Sequence, residues 1–300
     1  MSPAVIVTGA SGFIGSGLVS KLGMAGARAL SVREGGWPGR LGEIQFEGAN
    51  LVHLGGRAHA AGSDAAGIDE DNRATTLALA ELARSRGLKR FVFVSSVKVH
   101  GESSRRPLAE TDPLLPGDPY ARAKRDAEAG LARIAEATGL EVVVLRPPLV
   151  YGPGVRGNFL ALLKLASSPW PLPFASLANR RSLVSRANLI DAIEACIAHP
   201  QAPGRTFLVS DGAPVSTAQL VTAMRAAMGR APGMFAFPAA GLRTLAALAG
   251  RRDAAGKLTE SLEVDDSLLR STLGWQPMQG FEEAIDETVR WFGSRAPARK

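Results

Sequence analysis

Val5-Ile6-Val7-Thr8-Gly9-Ala10-Ser11-Gly12-Phe13-Ile14-Gly15 is the stretch whose reading decides the fold. Three apolar β-formers run into three glycines, and Leu18, Val19 and Leu22 then fall at helical spacing, so a buried strand, a tight turn and an amphipathic helix follow one another. Gly9 permits the sharp bend, and Gly12 lets bare backbone approach a ligand. Gly15 allows the helix to pack closely on the strand, and the free N–H groups at the helix start favour a pyrophosphate. The spacing is G-x-x-G-x-x-G rather than the commoner G-x-G-x-x-G. A glycine turn that binds nothing is the alternative, and the hydrophobic strand directly before the turn argues against it.

Working outward, residues 26–33 read as a second strand ending at Arg33, where nucleotide-binding sheets meet the adenosine ribose. An acid there would accept the ribose hydroxyls of NAD. Arg33 suits a 2′-phosphate and tilts the choice toward NADP, with a solvated strand-end arginine as the alternative. The residues between Arg33 and Asn50 include Gly35, Gly36, Pro38, Gly39 and Gly42 and are too few for a full strand–helix unit, which takes about 25–30 residues. A short third strand around 43–46 with little or no helix is expected. Asn50 to Leu54 is the next strand, with His53 inside the sheet rather than acting as a ligand, and Gly55-Gly56-Arg57 follow at the ligand-binding edge. A helix from about 71 to 86 turns Leu77, Leu79, Leu82 and Ala83 inward. The apolar strand at 91–94 runs into Ser95-Ser96. A proline-punctuated loop passes Glu110 and Asp112 before a helix over 118–138, stopped by Gly139. The strand at 141–145 is closed by Arg146-Pro147-Pro148.

The fold class is therefore α/β: a Rossmann-type doubly wound parallel sheet with a shortened third strand unit, plus a smaller C-terminal substrate lobe. Residues 1–154 form the dinucleotide-binding part, to which the chain returns around 183–212. Residues 155–182 and 213–295 form the second lobe, and 296–300 a tail. The expected later elements are helices over 189–198, 215–228 (capped by Ser216 or Thr217) and 281–292, with a short strand at 206–209.

Composition narrows the class. Of 300 residues, 46% are hydrophobic and 21% charged, ordinary for a globular chain with a sheet buried on both faces. A single cysteine, Cys196, excludes a disulfide framework and a cysteine-rich metal site, and no metal is expected. No apolar run reaches the ~18–20 residues of a membrane span, and Met234 to Gly250 is interrupted by Pro238 and Arg243. No signal peptide is visible, so a cytoplasmic location is expected. The net charge of +7 and pI near 10.1 suit an anionic small substrate. The basic residues are scattered rather than striped, which argues against nucleic acid, and Arg295 to Lys300 reads as a frayed tail.

Tyr120 and Lys124 are four apart at the start of a helix, so both lie on one face. An ammonium beside a phenol favours the phenolate and is expected to lower its pKa. Such a phenol can take a proton from a sugar or alcohol hydroxyl while Lys124 hydrogen-bonds the nicotinamide ribose. Chance supplies many such pairs, and an exposed helical pair is the alternative. Ser96 shifts the balance, since it follows a strand on the same sheet edge as the glycine turn and can hold the reacting oxygen against Tyr120. A serine bonded only to local backbone is the alternative there.

These residues, with His53-Leu54-Gly55-Gly56, Asn72, Val94-Ser-Ser-Val-Lys-Val-His-Gly101, Leu145-Arg-Pro-Pro-Leu-Val-Tyr-Gly-Pro-Gly154 and Leu273-Gly-Trp-Gln-Pro277, carry a resemblance over essentially the whole chain. The chain resembles an extended short-chain dehydrogenase/reductase of the NAD-dependent epimerase/dehydratase family, within it most similar to a UDP-sugar 4-epimerase-like group. The resemblance implies Ser96, Tyr120 and Lys124 as the catalytic set. It implies cofactor contacts from Gly9, Ser11, Gly12, Phe13, Ile14, Gly15, Arg33, Leu54, Gly55, Gly56, Arg57 and Pro147, together with Tyr120 and Lys124, and places Pro148 beside the nicotinamide. Asn158 and Arg181 match positions used for a nucleotide-sugar diphosphate, a task a guanidinium fork suits, with a surface arginine as the alternative. His100 stands where many relatives have tyrosine and counts among the substrate contacts, and Asn188 stands where many have aspartate. Val97 and Lys98 occupy the positions of the Asp-Glu pair of the 4,6-dehydratases, which disfavours dehydration. The implied activity is epimerisation at C4 of a UDP-hexose or UDP-N-acetylhexosamine with NAD or NADP. An NADPH-dependent reductase of 4-keto UDP-sugars is the alternative, and a non-catalytic dinucleotide-binding protein a distant one. A homodimer is implied, with the helices around 72–86 and 118–138 as its surfaces.

Overall fold

The structure is a computed structural model that describes residues 5–32, 37–40, 44, 46–56, 65–248, 250 and 252–295. The opening stretch folds as strand β1 (Val5–Thr8), a glycine turn and helix α1 (Phe13–Gly26). Around β1 lie β2 (Ala27–Leu30), β3 (Asn50–His53), β4 (Arg90–Val94), β5 (Glu141–Arg146) and β8 (Thr206–Leu208). These six strands form one sheet in the order β2-β1-β3-β4-β5-β8, every pair parallel. Strands covered on both faces read as continuous apolar runs, as in Phe91-Val92-Phe93-Val94.

The two faces can be followed residue by residue. Val5, Val7, Val52, Val92, Val94, Val143 and Leu145 point to one side, against Leu18 of α1 and Leu189, Ile190 and Ile193 of α6 (Arg186–Ala198). Ile6, Leu51, Phe91, Phe93, Val142 and Val144 point to the other, against α3 (Ala65–Arg84) and α4 (Pro119–Thr138). Arg90 is held inside the sheet by its partners: Glu141 accepts from Nε at 2.7 Å and the carbonyls of Cys196, Ile197 and His199 accept from Nη1. Those carbonyls end α6, so one buried cation caps a helix from within the sheet.

The third unit is shorter than expected. A four-residue helix, α2 (Trp37–Arg40), precedes it, and neither Ile44 nor Phe46 pairs in the sheet; residues 43 and 45 lie outside the described residues. The expected strand at 43–46 is therefore absent at both described positions. Phe46, 1% exposed, spends its backbone on a turn instead, where Ala49 N–H donates to its carbonyl at 2.8 Å and Gly48 takes φ +67°. That turn feeds β3 directly and uses the Phe46 ring to fill the core beside Leu30 and Leu88.

After β5 the alternation of strand and helix ends. β6 (Leu149–Tyr151) and β7 (Leu183–Ser185) make a separate parallel pair. Helices α5 (Gly157–Ala166), α7 (Thr217–Ala227) and α11 (Phe281–Ser294) close a third core around Tyr151, Phe159, Leu163, Val221, Met224, Ile285 and Val289. Ser216 caps α7 in a reciprocal box with Gln219. Helices α8 (Ala239–Leu248), α9 (Arg252–Thr259) and α10 (Ser267–Leu273) complete the chain. Among the described residues no helix is long and apolar enough to cross a membrane.

Candidate active site

The sheet's C-terminal edge gathers the residues singled out in the sequence. In the glycine turn, Gly12 N–H donates to Gly9 O at 2.8 Å while Gly9 takes φ +70°. A Cβ at Gly15 would be driven into the Gly9 carbonyl, so only glycine lets α1 start so close to β1. The first N–H groups of α1 have no intrahelical partner and stand open to an anion.

Ser96 follows β4 and opens a single 3-10 turn over Val97–Val99, where Lys98 N–H donates to Ser96 Oγ at 3.2 Å. The local bond foreseen as the alternative is therefore made, yet it uses the hydroxyl as acceptor and leaves its proton available. Helix α4 starts cleanly because Asp118 caps it, accepting from Ala121 N–H at 2.7 Å, with Pro119 at its first position. Lys98 Nζ donates to Asp118 Oδ2 at 2.8 Å. That ion pair ties the turn bearing Ser96 to the helix start bearing Tyr120, a role for Lys98 that the sequence reading missed.

Lys124 lies one helical turn beyond Tyr120 and is 4% exposed. Its Nζ donates to Val94 O at 2.9 Å and sits 4.4 Å from the centroid of the Phe93 ring. Burial pushes the ammonium down to about 8, with the Glu128 carboxylate acting in the opposite direction. The expectation that Lys124 lowers the Tyr120 pKa is not met. Burial pushes the phenol up to about 12, with Lys98 pulling it down and Asp118 pushing it up, while Lys124 Nζ stands 5.8 Å from the ring centroid. Desolvation dominates because the cation that would stabilise a phenolate is itself buried against a carbonyl and a ring face.

A cavity of about 150 Å³ brings together Ile14, Leu54, Gly55, Gly56, Ser95, Ser96, Tyr120, Lys124, Pro147 and Pro148, with Val94 and Val150. A Cβ at Gly56 would stand 3.4 Å from Asn72 Oδ1 and 3.5 Å from Lys124 Nζ, so a side chain there would fill the space beside the ammonium. Ser95 Oγ is buried without a hydrogen-bond partner among the described residues. An apolar slot with an ammonium, two serine hydroxyls and a phenol on its walls fits a nicotinamide riboside, and the glycine turn beside it fits the pyrophosphate. A larger open hollow of about 470 Å³ lies on the outer side of α1, among Ser20, Lys21, Arg186 and Glu287, and holds none of these groups.

Other expected contacts fall elsewhere. Arg33 and Arg57 lie outside the described residues. Asn158 is exposed in the first turn of α5. Arg181 is mostly buried, with Nη1 donating to Glu260 O at 3.0 Å; burial lowers its pKa against the opposing pull of Glu102 and Glu260. His100 is 5% exposed and turned into the protein. Arg146 donates to its Nε2 at 3.0 Å, which leaves Nδ1–H to donate to Pro113 O at 3.3 Å. Burial and then the Arg146 charge lower its pKa, in keeping with an Nε2 that accepts from Arg146. Arg146 also forks onto Glu128, with Nη2 2.6 Å from Oε2. His100 thus belongs to a buried link between the 110–118 loop and α4.

His53 is structural, as expected. Thr76 gives its hydroxyl proton to Asn72 O at 2.6 Å, so His53 Nε2–H must donate to Thr76 Oγ1 at 3.0 Å, and Thr8 donates to Nδ1 at 2.6 Å. Burial, with Lys124 nearby, pushes this imidazole down to about 3. Asn188 and Asp211 form a second link missed in the sequence: Asp211 accepts from Tyr151 OH at 2.9 Å, from Ser185 N–H at 2.9 Å and from Asn188 Nδ2 at 2.7 Å. Among the described residues no His, Cys, Asp and Glu cluster could hold a metal ion.

The chain is similar to known proteins in sequence and in fold. Residues 5–210 match the family model of the NAD dependent epimerase/dehydratase family. A UDP-glucose 4-epimerase of Vibrio cholerae is 37% identical over 315 aligned residues, spanning 97% of this chain and 96% of that protein. Among solved structures, the UDP-glucose 4-epimerase of Thermotoga maritima with UDP-glucose superposes with TM-score 0.77 at 23% identity, covering 98% of this chain and 100% of that one. The RMD protein of Pseudomonas aeruginosa complexed with NADPH gives TM-score 0.78 at 22% identity, covering 98% and 100%.

Proposed function

The chain belongs to the NAD-dependent epimerase/dehydratase family, and from that premise we propose that it is a UDP-sugar 4-epimerase acting at C4 of a UDP-hexose or UDP-N-acetylhexosamine. The observation that carries the reading is the single cavity lined by Ser96, Tyr120, Lys124 and Pro147 beside the glycine turn. When bound in its oxidised form, the dinucleotide supplies two-electron acceptance at the sugar carbon and a positive ring near the phenol. Ser96 donates its free hydroxyl proton to the sugar O4 and holds it toward Tyr120. As the phenolate, which the positive charge of the oxidised dinucleotide would favour, Tyr120 takes the O4 proton as the carbon is oxidised and returns it once the 4-keto sugar has turned over. Lys124, anchored on Val94 O, orients the nicotinamide ribose. Arg181 pairs with the diphosphate of the substrate, and Asn158 contacts the same group.

Replacing Tyr120 by Phe tests the reading. Interconversion of UDP-glucose with UDP-galactose, and of their N-acetyl counterparts, followed by NMR, is expected to fall about 10²–10⁴-fold with little change in KM. Undiminished turnover would remove the proton-transfer role. Arg33 favours a second reading, an NADPH-dependent reductase of 4-keto UDP-sugars that performs only the return half of the same chemistry. Mass and absorbance of the co-purifying cofactor separate the two. Tightly held NAD goes with the epimerase, and preferential uptake and consumption of NADPH with the reductase.

A further inference from the structure

The chain's basic residues are spread along it, but its acids are not. No Asp or Glu occurs in residues 142–190 or 212–252, and these two stretches hold eleven Lys and Arg. The rest of the chain is left with 24 basic against 28 acidic residues, so the whole positive excess is carried by these stretches. Besides β5 to β7 and the start of α6, they supply α5, α7 and α8 of the second lobe, and Arg146 and Arg225 among their cations are buried.

The same stretches carry exposed apolar side chains. Leu165, Trp170, Phe235, Leu245 and Leu248 are 38%, 74%, 46%, 56% and 82% exposed. Their segments are joined. Leu172 N–H donates to Gly233 O at 3.0 Å, Phe235 N–H to Leu172 O at 2.9 Å, and Ser176 Oγ to Phe237 O at 2.5 Å. Arg230 Nη1 donates to Ser168 O at 3.0 Å, which sets a cation beside Trp170. The chain then enters α8, in which no residue is buried. Lys164, Arg230 and Arg243 are exposed on these segments.

We propose that this face of the second lobe docks the protein on an anionic phospholipid surface. Tryptophan settles at headgroup depth, leucines reach the acyl boundary, and Lys and Arg meet the phosphates. A second copy of this chain fits poorly, because pairing the face with itself would oppose cations to cations. A polyanion such as RNA would use the cations but has no place for Leu245 and Leu248. The docking is peripheral, and it does not rest on the epimerase reading.

The full chain is tested by flotation with vesicles of phosphatidylglycerol and phosphatidylcholine against phosphatidylcholine alone. Binding to the anionic vesicles is expected to be at least about tenfold stronger and to be lost near about 0.5 M salt. The paired variants Trp170→Ser with Phe235→Ser, Leu245→Ser with Leu248→Ser, and Lys164→Glu with Arg243→Glu are each expected to weaken it about tenfold. Circular dichroism and Tm should stay close to wild type, which shows that the variants are folded. The proposal falls if both vesicle types retain the protein equally or not at all, or if Lys164→Glu with Arg243→Glu binds as well as wild type. It also falls if the wild type binds RNA but not lipid, or if light scattering shows an oligomer that the apolar variants convert to monomer.

Discussion

At Lys124 stability and chemistry pull in opposite directions. The drop from 10.5 to about 8 corresponds to about 3 kcal/mol of destabilisation near pH 7, the cost of keeping an ammonium buried. Between about pH 8 and 10.5 the unfolded chain binds more protons at this site than the folded one, so its contribution to stability rises with pH through that window. Lys124→Met removes the charge but leaves Val94 O without its donor, which returns about 1–3 kcal/mol of the gain. Calorimetry is expected to show a Tm for Lys124→Met at or above wild type near pH 7, with that advantage shrinking as pH rises toward 10.5, and activity abolished. A variant clearly less stable at pH 7 would mean the ammonium is not paying a burial cost. Glu128→Gln, which leaves the buried Arg146 cation unpaired, should cost about 3–5 kcal/mol in urea unfolding. That Ser96, Tyr120 and Lys124 come together was legible, and they line one cavity. Their protonation was not, because it follows from burial and from carbonyl partners that spacing does not reveal.

The join between the Val97–Val99 turn and α4 is where elements, rather than single groups, set the site. Asp118 both caps α4 and accepts from Lys98, so one carboxylate fixes the helix start and the Ser96 turn together. Asp118→Ala should cost about 1 kcal/mol as a lost cap. Lys98→Met leaves the cap in place but frees the turn, and is expected to lower kcat about tenfold with KM little changed, since the proposed diphosphate contacts, Arg181 and Asn158, lie elsewhere. Steady-state kinetics on both variants checks the split; equal losses in KM would place Lys98 on the substrate instead. Element order was largely readable. The apolar runs of β1, β4 and β5 and the Asp-Pro start of α4 carry their own signals, whereas the Phe46 turn has the composition of a strand and is decided by a ring-sized gap in the core. The His100–Arg146–Glu128 link was equally hidden, since its members are far apart in sequence.

The whole molecule combines a sheet buried on both faces with a lobe built from interrupted segments. Arg181→Ala tests the proposed diphosphate contact: it is expected to raise KM for a UDP-sugar about tenfold or more while leaving cofactor retention intact, read by kinetics and by absorbance of the purified protein. Chain synthesis runs in one direction, and the sheet does not. β8 (Thr206–Leu208) seals the outer edge of β5, yet it is synthesised only after the β6–β7 pair, α5 and α6. Until then Val144, Leu145 and Arg146 present an open ladder of backbone donors and acceptors to any neighbouring chain. A full chain in which β8 cannot pair, through Phe207→Pro, should therefore pellet more than one carrying Phe207→Ala, which leaves the ladder in place. The short last strand acts as a lock whose late arrival sets how long the growing polypeptide needs a chaperone's protection.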